Sequence, residues 1–443
     1  MPPHLVIVVA DTWRRPESLP GSTLASTMPF LSGLAPGGRE IPGLVASSSW
    51  TLPSHLALLC GLDPTESGRV LSAPSSAPPS LASAWRNAGG ESVALSANYL
   101  VQPSTGLGAD FDEFNPGAPF ELSGRLVRAW QSGGYEHRLY EALEAYRSAP
   151  GDRRARWQAR TLWGLGKALY GTARLLYDGD TVARSLERYL RRRRSPAPLQ
   201  LFVNLLETHE PYRSVGSARW PDWGEIPCVG LCQHSGNLAS VSARDSAQRA
   251  YQGALGALDR SLAGLFRTLG KGGVLDDALV LLVSDHGQSL GEHGFYGHGY
   301  YLFDELVRIP GYLWAFQNGR ATSLPEVPAG PWDHRHLWSV LSDFVGGERI
   351  GPETWERARH RMGSAFSYVE GVAPHPPGSF RRTPERGEIS SQRRDFGPLP
   401  PEPRPFALPP SPLPSGPAGP GWPVAGNLLD PGVEDRLRTW GYL

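Results

Sequence analysis

Apolar and polar positions fall into long blocks along this chain. Residues 5–10 are an unbroken apolar, mostly β-branched run that stops at Asp11. A run with no polar face is the pattern of a central parallel strand covered on both sides. Residues 278–284 (ALVLLVS) repeat the pattern and stop at Asp285, with His286 and Gly287 directly after. A third run, LQLFVNLL over 199–206, leads into Glu207, Thr208, His209, Glu210, Pro211 and Tyr212, and residues 92–96 read as a shorter strand. Between these runs the spacing turns helical, over 81–88 behind Ser80 as a candidate N-cap and over a long amphipathic stretch at 247–269. Residues 110–114 (DFDEF) read as the start of a surface connection. Strands alternating with helices predict a doubly wound α/β fold on a mostly parallel sheet.

The stretch SSSWTLPSHLALLCGLDP, residues 47–64, carries a helix with a chemical candidate at its start. Leu52, Leu56, Leu58, Leu59 and Leu62 suit a buried helix face, and Pro53 and Ser54 suit a first turn. A hydroxyl at Thr51 would sit beside free backbone N–H groups and the positive end of the helix dipole. It is either an N-cap or a nucleophile aimed at an anion, and this stretch alone leaves both readings open.

Residues 122–194 are rich in Arg, Trp, Tyr and Leu at helical spacing and read as a helical insertion within a domain spanning 1–370. The insertion ends in Arg191, Arg192, Arg193 and Arg194. Such a run serves a phosphate or nucleic acid, or simply complements a helix C-terminus; the second reading is favoured. From about 371 to 423 the composition shifts to Pro, Gly, Arg and Ser, an arm that buries too little apolar surface to order itself. The closing VEDRLRTWGYL regains helical spacing and should dock back on the fold as a helix.

The 443 residues suffice for one large α/β domain or two smaller ones. Lys plus Arg and Asp plus Glu are equal, 43 each, which speaks against a nucleic-acid or polyanion binder. Three cysteines give no disulfide framework: Cys60 reads as core, and Cys228 and Cys232 with His234 are poorly spaced for zinc. No signal peptide and no membrane-spanning run is visible, so the expectation is a cytoplasmic protein with no membrane span.

In open α/β sheets ligands bind beyond the carboxyl ends of the strands. Asp11 and Asp285 take such places and His286 adjoins the second, a set that invites a divalent metal; Thr51 can join it. Mixed oxygen and nitrogen donors suit Mn2+ or Zn2+ better than Mg2+. A metal beside a hydroxyl lowers its pKa and polarises a phosphoryl or sulfuryl oxygen. His209 and His298 could then bind the ester oxygens or protonate the leaving group.

VVADTWR (8–14), the 47–64 stretch, SANYLVQPSTGLGADFDEF (96–114), NLLETHEPY (204–212) and SDHGQSLGEHGFYGHGYYLFDELVRIP (284–310) together resemble the sulfatase family of the alkaline phosphatase superfamily, and the closing 433–443 segment is similar to the family's usual end. The resemblance implies metal ligands at Asp11, Thr51, Asp285 and His286, with Thr51 also the nucleophile. It implies substrate contacts at His209 and His298, and at His55 where many sulfatases carry Arg. It adds calcium to the metals that suit the site. Thr12 stands where many sulfatases have a second acid. Above all, threonine cannot become the formylglycine that sulfatases make from Cys or Ser. A threonine alkoxide can still attack phosphorus, so the reading favours hydrolysis of a small-molecule phosphate mono- or diester over a sulfate ester. A phosphoryl or phosphoglycerol transferase and a non-catalytic binding relative are the alternatives. A dinucleotide oxidoreductase is not, because no G-x-G-x-x-G follows the first strand.

Overall fold

The computed structural model describes residues 3–116, 179–212, 241–372 and 389–395, save a few positions inside these spans, and a few residues between 153 and 161. Strand β1 (His4–Ala10) lies within the sheet, and its apolar run is explained by cover on both faces. Leu5, Ile7 and Val9 meet one helical layer; Val6, Val8 and Ala10 meet the other. Further along the chain come β2 (Arg39–Glu40), α1 (Thr51–Cys60), α2 (Leu81–Asn87), β3 (Glu91–Ser96) and β4 (Glu113–Phe114). They are followed by α3 (Gly179–Arg192), β5 (Leu199–Leu205), α4 (Val241–Lys271), β6 (Asp277–Ser284), β7 (Gly311–Gln317) and β8 (Arg320–Thr322). Helices α5 (His334–Val345) and α6 (Pro352–Met362) precede β9 (Phe366–Val372) and β10 (Ile389–Asp395).

Eight strands form the main sheet in the order β8-β7-β6-β1-β5-β3-β4, with β2 also paired to β7. Strands β6, β1, β5, β3 and β4 run parallel, and β7 is antiparallel to β6. Helices α1, α2, α5 and α6 pack on one face through Leu56, Trp85, Leu341 and Trp355. Helices α3 and α4 cover the other through Leu186, Leu258 and Leu265. This is the doubly wound, mostly parallel sheet that the alternation of apolar runs predicts. Register places its chemistry: Ala10 pairs with Ser284 on one side and Leu205 on the other, so Asp11 and Asp285 leave the sheet as neighbours.

Helix α1 differs from the half-buried helix that its spacing suggests, for all ten residues are buried. Each of its leucines contributes about 1.5–3 kcal/mol by leaving water, so the start of α1 is firmly anchored. The helix stops at Gly61, whose φ of 67° is left-handed; a Cβ there would fall 2.5 Å from the Trp338 ring. The stretch read as a surface connection ends in strand, since Glu113–Phe114 pairs in parallel with Val93 and Ala94.

The Arg run closes α3, where Arg191 meets Glu187 at 2.7 Å, Arg193 meets Glu91 at 2.9 Å and Arg192 pairs with Glu113. The hairpin of β9 and β10 straddles residue 371, where the composition changes, so the boundary expected there falls inside a strand. Most of the 122–194 insertion, Cys228, Cys232, His234 and the closing 433–443 helix lie outside the described residues. No helix among those described is long and apolar enough to cross a membrane.

Candidate metal and ester site

The site is built at the carboxyl ends of β1 and β6 and at the first turn of α1. Trp50, with extended φ and ψ of −149° and 164°, is the N-cap and offers no side-chain cap bond; Thr51 is the first helical residue. The capping reading of Thr51 therefore gives way: its hydroxyl is not spent on the helix and lies 3.4 Å from His286 Nε2. The Nδ1 of His286 donates to the Gly287 carbonyl at 2.9 Å, which leaves the lone pair on Nε2. That Nε2 is 3.5 Å from Asp285 Oδ2 and 4.0 Å from Asp11 Oδ1. Gly287 has to be glycine, because a Cβ would sit 1.9 Å from the Glu305 carbonyl.

Both carboxylates are held on one oxygen and bare on the other. Asp285 Oδ1 accepts from the Thr12 N–H at 3.0 Å and the His286 N–H at 2.8 Å. Asp11 Oδ2 accepts from the Asn98 amide at 2.7 Å. Asp11 Oδ1 and Asp285 Oδ2 are buried and have no hydrogen-bond partner among the described residues. Burial, reinforced by the charge of Asp285, pushes Asp11 up to about 8. Burial likewise pushes Asp285 up to about 7 and the imidazole of His286 down to about 3. Two bare carboxylate oxygens, an imidazole lone pair and a hydroxyl are a donor set for a divalent cation, whose charge would offset the burial of both acids. The residues present fit the metal.

Thr12 has its N–H and its hydroxyl proton engaged within the protein. Its φ of 58° is rare for a β-branched residue, and it turns the N–H onto Asp285 while Oγ1 donates to the Thr208 carbonyl at 2.6 Å. The acid that many sulfatases have here is thus replaced by a backbone clamp.

His209 and His298 form a second group with Glu210. Ligand atoms of these three lie within 4.8 Å of one another, as do those of Asp11, Asp285 and His286. The His298 ring stands 4.6 Å from that of His286 and 5.0 Å from that of His209, so it links the two groups. Burial, with His286 and His209 nearby, holds His298 well below the ordinary histidine range. The side chain of His209 is 20% exposed and marks the mouth of the site.

His55 is not at the mouth. It is fully buried, its Nδ1 donates to the Thr51 carbonyl at 2.8 Å, and its Nε2 accepts from Asn204 at 3.1 Å. With both nitrogens engaged, His55 braces the first turn of α1 from below, a departure from the substrate contact that the resemblance implies. Three residues went unread in the sequence: Asn98, Glu210 and Gln288, the last bonded to both Glu210 and His298. All three lie in the motif stretches, and Glu210 and Gln288 stand one or two positions from a residue that was singled out.

The profile of the Sulfatase family matches residues 3–334. The chain belongs to the sulfatase family. The sulfatase match takes in every site residue described above. Among solved structures, the phosphonate monoester hydrolase of Agrobacterium radiobacter is similar at a TM-score of 0.52 and 17% identity, over 87% of this chain and 82% of that one. The C-terminal periplasmic domain of EcEptC from Escherichia coli aligns at 0.48 and 17%, over 78% and 82% of the two chains. The soluble domain of lipooligosaccharide phosphoethanolamine transferase A from Neisseria meningitidis aligns at 0.49 and 14%, over 78% and 88%. No curated protein matches the sequence significantly.

Proposed function

We propose that this sulfatase-family protein is a metal-dependent hydrolase of a small-molecule phosphate mono- or diester, with Thr51 as nucleophile. The observation that carries the reading is the Thr51 hydroxyl, buried at the start of α1 and 3.4 Å from His286 Nε2, beside two bare carboxylate oxygens. Asp11, Thr51, Asp285 and His286 would hold one divalent metal, Mn2+ or Zn2+ by their donor set. When bound, it supplies charge neutralisation and a lowered pKa for the hydroxyl.

In the first step Thr51 Oγ1 bonds to phosphorus as the leaving oxygen departs. The hydroxyl proton ends on that oxygen, and His298 is the group placed to carry it. In the second step water attacks phosphorus, the Thr51–phosphate bond breaks and Thr51 regains a proton. The free N–H groups of the first turn of α1 favour the negative charge throughout. His209 at the mouth binds an outer ester oxygen, and His55 keeps the Thr51 backbone in place.

A phosphorus ester is preferred to a sulfate ester because threonine cannot form the aldehyde on which sulfate release depends in formylglycine sulfatases. The fold shared with the phosphonate monoester hydrolase supports the reading in kind: in that protein the architecture serves a phosphorus ester. A panel of chromogenic phosphate mono- and diesters, phosphonate esters and sulfate esters, each with Mn2+, Zn2+ and Ca2+, tests it. Turnover of a phosphate ester is expected. Turnover confined to sulfate esters would overturn it.

A further inference from the structure

Of the four imidazoles His55, His209, His286 and His298, three have a backbone carbonyl on Nδ1. His55 donates to Thr51 O at 2.8 Å, His209 to Glu210 O at 2.7 Å and His286 to Gly287 O at 2.9 Å. A carbonyl can only accept, so Nδ1 carries the proton in each. His298 is different. Its Nδ1 meets the side-chain oxygen of Gln288 at 2.9 Å, and a side-chain amide has two ends. Turned over, it would present NH2 to the ring and force the proton to Nε2.

The other end of Gln288 decides the matter. Its Nε2 donates to Glu210 Oε2 at 2.8 Å, and a carboxylate accepts only. If the amide turned over, its oxygen would face a carboxylate oxygen, two acceptors with no proton between them. Gln288 is fully buried and cannot exchange either partner for water. Its backbone is pinned as well: the N–H donates to the Glu305 carbonyl at 3.1 Å, and the carbonyl accepts from Arg14 at 2.9 Å. Arg14 in turn is held by Glu292 at 2.8 Å.

We propose that Gln288 and Glu210 are positioning residues that hold a proton of His298 on Nδ1, so that in the neutral ring the lone pair lies on Nε2. The assignment of the proton stands on these hydrogen bonds; its use in catalysis rests on the phosphate-ester reading above. On that reading His298 must take a proton at Nε2, from the attacking hydroxyl or from water, before it can give one to a departing oxygen. It enters the cycle as an acceptor.

The test uses the full chain, loaded with one equivalent of Zn2+ and labelled with 15N at histidine. The His298 ring resonances are assigned by their loss in His298→Gln. The parent is expected to show a protonated Nδ1 and an unprotonated Nε2. Gln288→Met should abolish that preference and lower kcat about 10- to 100-fold, the usual cost of removing an outer partner, with KM little changed. If Gln288→Met does not fold, Glu210→Gln carries the same test, since a side-chain amide in place of the carboxylate no longer dictates which way Gln288 faces. A proton on Nε2 in the parent overturns the proposal, and so does an unchanged His298 signature in the folded variant. Failure of the ester panel with the signature intact would instead remove the phosphate-ester reading and leave the tautomer assignment standing.

Discussion

The two groups of ligand-bearing residues at the strand ends are alike in composition and unlike in construction. Asp11 and Asp285 directly follow parallel strands, His286 comes one residue later, and Thr51 sits on a helix buried on all sides. Each carboxylate there is tied by one oxygen, to backbone N–H groups or to Asn98, and has the other left bare. Glu210 instead gives Oε2 to Gln288, and the Nδ1 atoms of His209 and His298 are both engaged. Bare carboxylate oxygens in a buried place call for a cation; a carboxylate and an imidazole both tied to Gln288 suit the guidance of a proton. On the proposed function, like residue types would do different work according to which of their atoms the surrounding fold has already used.

Four perturbations break or sharpen that contrast. Thr51→Ala should bring turnover to background with folding unchanged, while Thr51→Ser, which keeps the oxygen, retains part of it; both are read by steady-state assay and circular dichroism. Asp285→Ala should lose the metal by elemental analysis, together with turnover, and equal metal in variant and parent would remove the site. His298→Ala should lower turnover roughly 10²- to 10⁴-fold with metal content unchanged. Loss of metal in this variant would erase the distinction between the two groups.

The smallest effect is on stability against pH. The folded-state pKa values of Asp11 and Asp285, about 8 and about 7, lie above the ordinary value of 3.8. The metal-free protein is therefore most stable below about pH 4 as far as these groups are concerned, and loses that contribution as pH rises through 7 and 8. A metal binds the ionised acids, so its affinity rises over the same window. The gap in Tm between loaded and metal-free protein should widen from pH 5 to pH 8; a constant gap would mean that the acids do not hold the metal.

Much of this was legible in the sequence where the cause is local. An apolar run ending in an acid gave both Asp11 and Asp285, because a strand buried on both faces must be apolar and its end is where a ligand can reach. The start of α1 was legible from Leu spacing and Pro53, though not that Trp50 would cap it and so spare Thr51. What was missed depends on partners far along the chain. His55 looked like a substrate contact until Asn204, 149 positions away, was found on its Nε2. Gln288 had no evident role until Glu210, 78 positions away, proved to hold it. Strand β10 reads ISSQRRD, with no apolar alternation, and is a strand because β9 pairs with it.

The central claim is that Thr51 forms the covalent bond. A slowly turned-over phosphate ester, quenched in acid during steady state and digested for mass spectrometry, tests it most directly. The account predicts one phosphate on Thr51 in the metal-loaded parent and none in Thr51→Ala. A label on another residue, or full activity in Thr51→Ala, would contradict it and return Thr51 to a purely structural place at the head of α1.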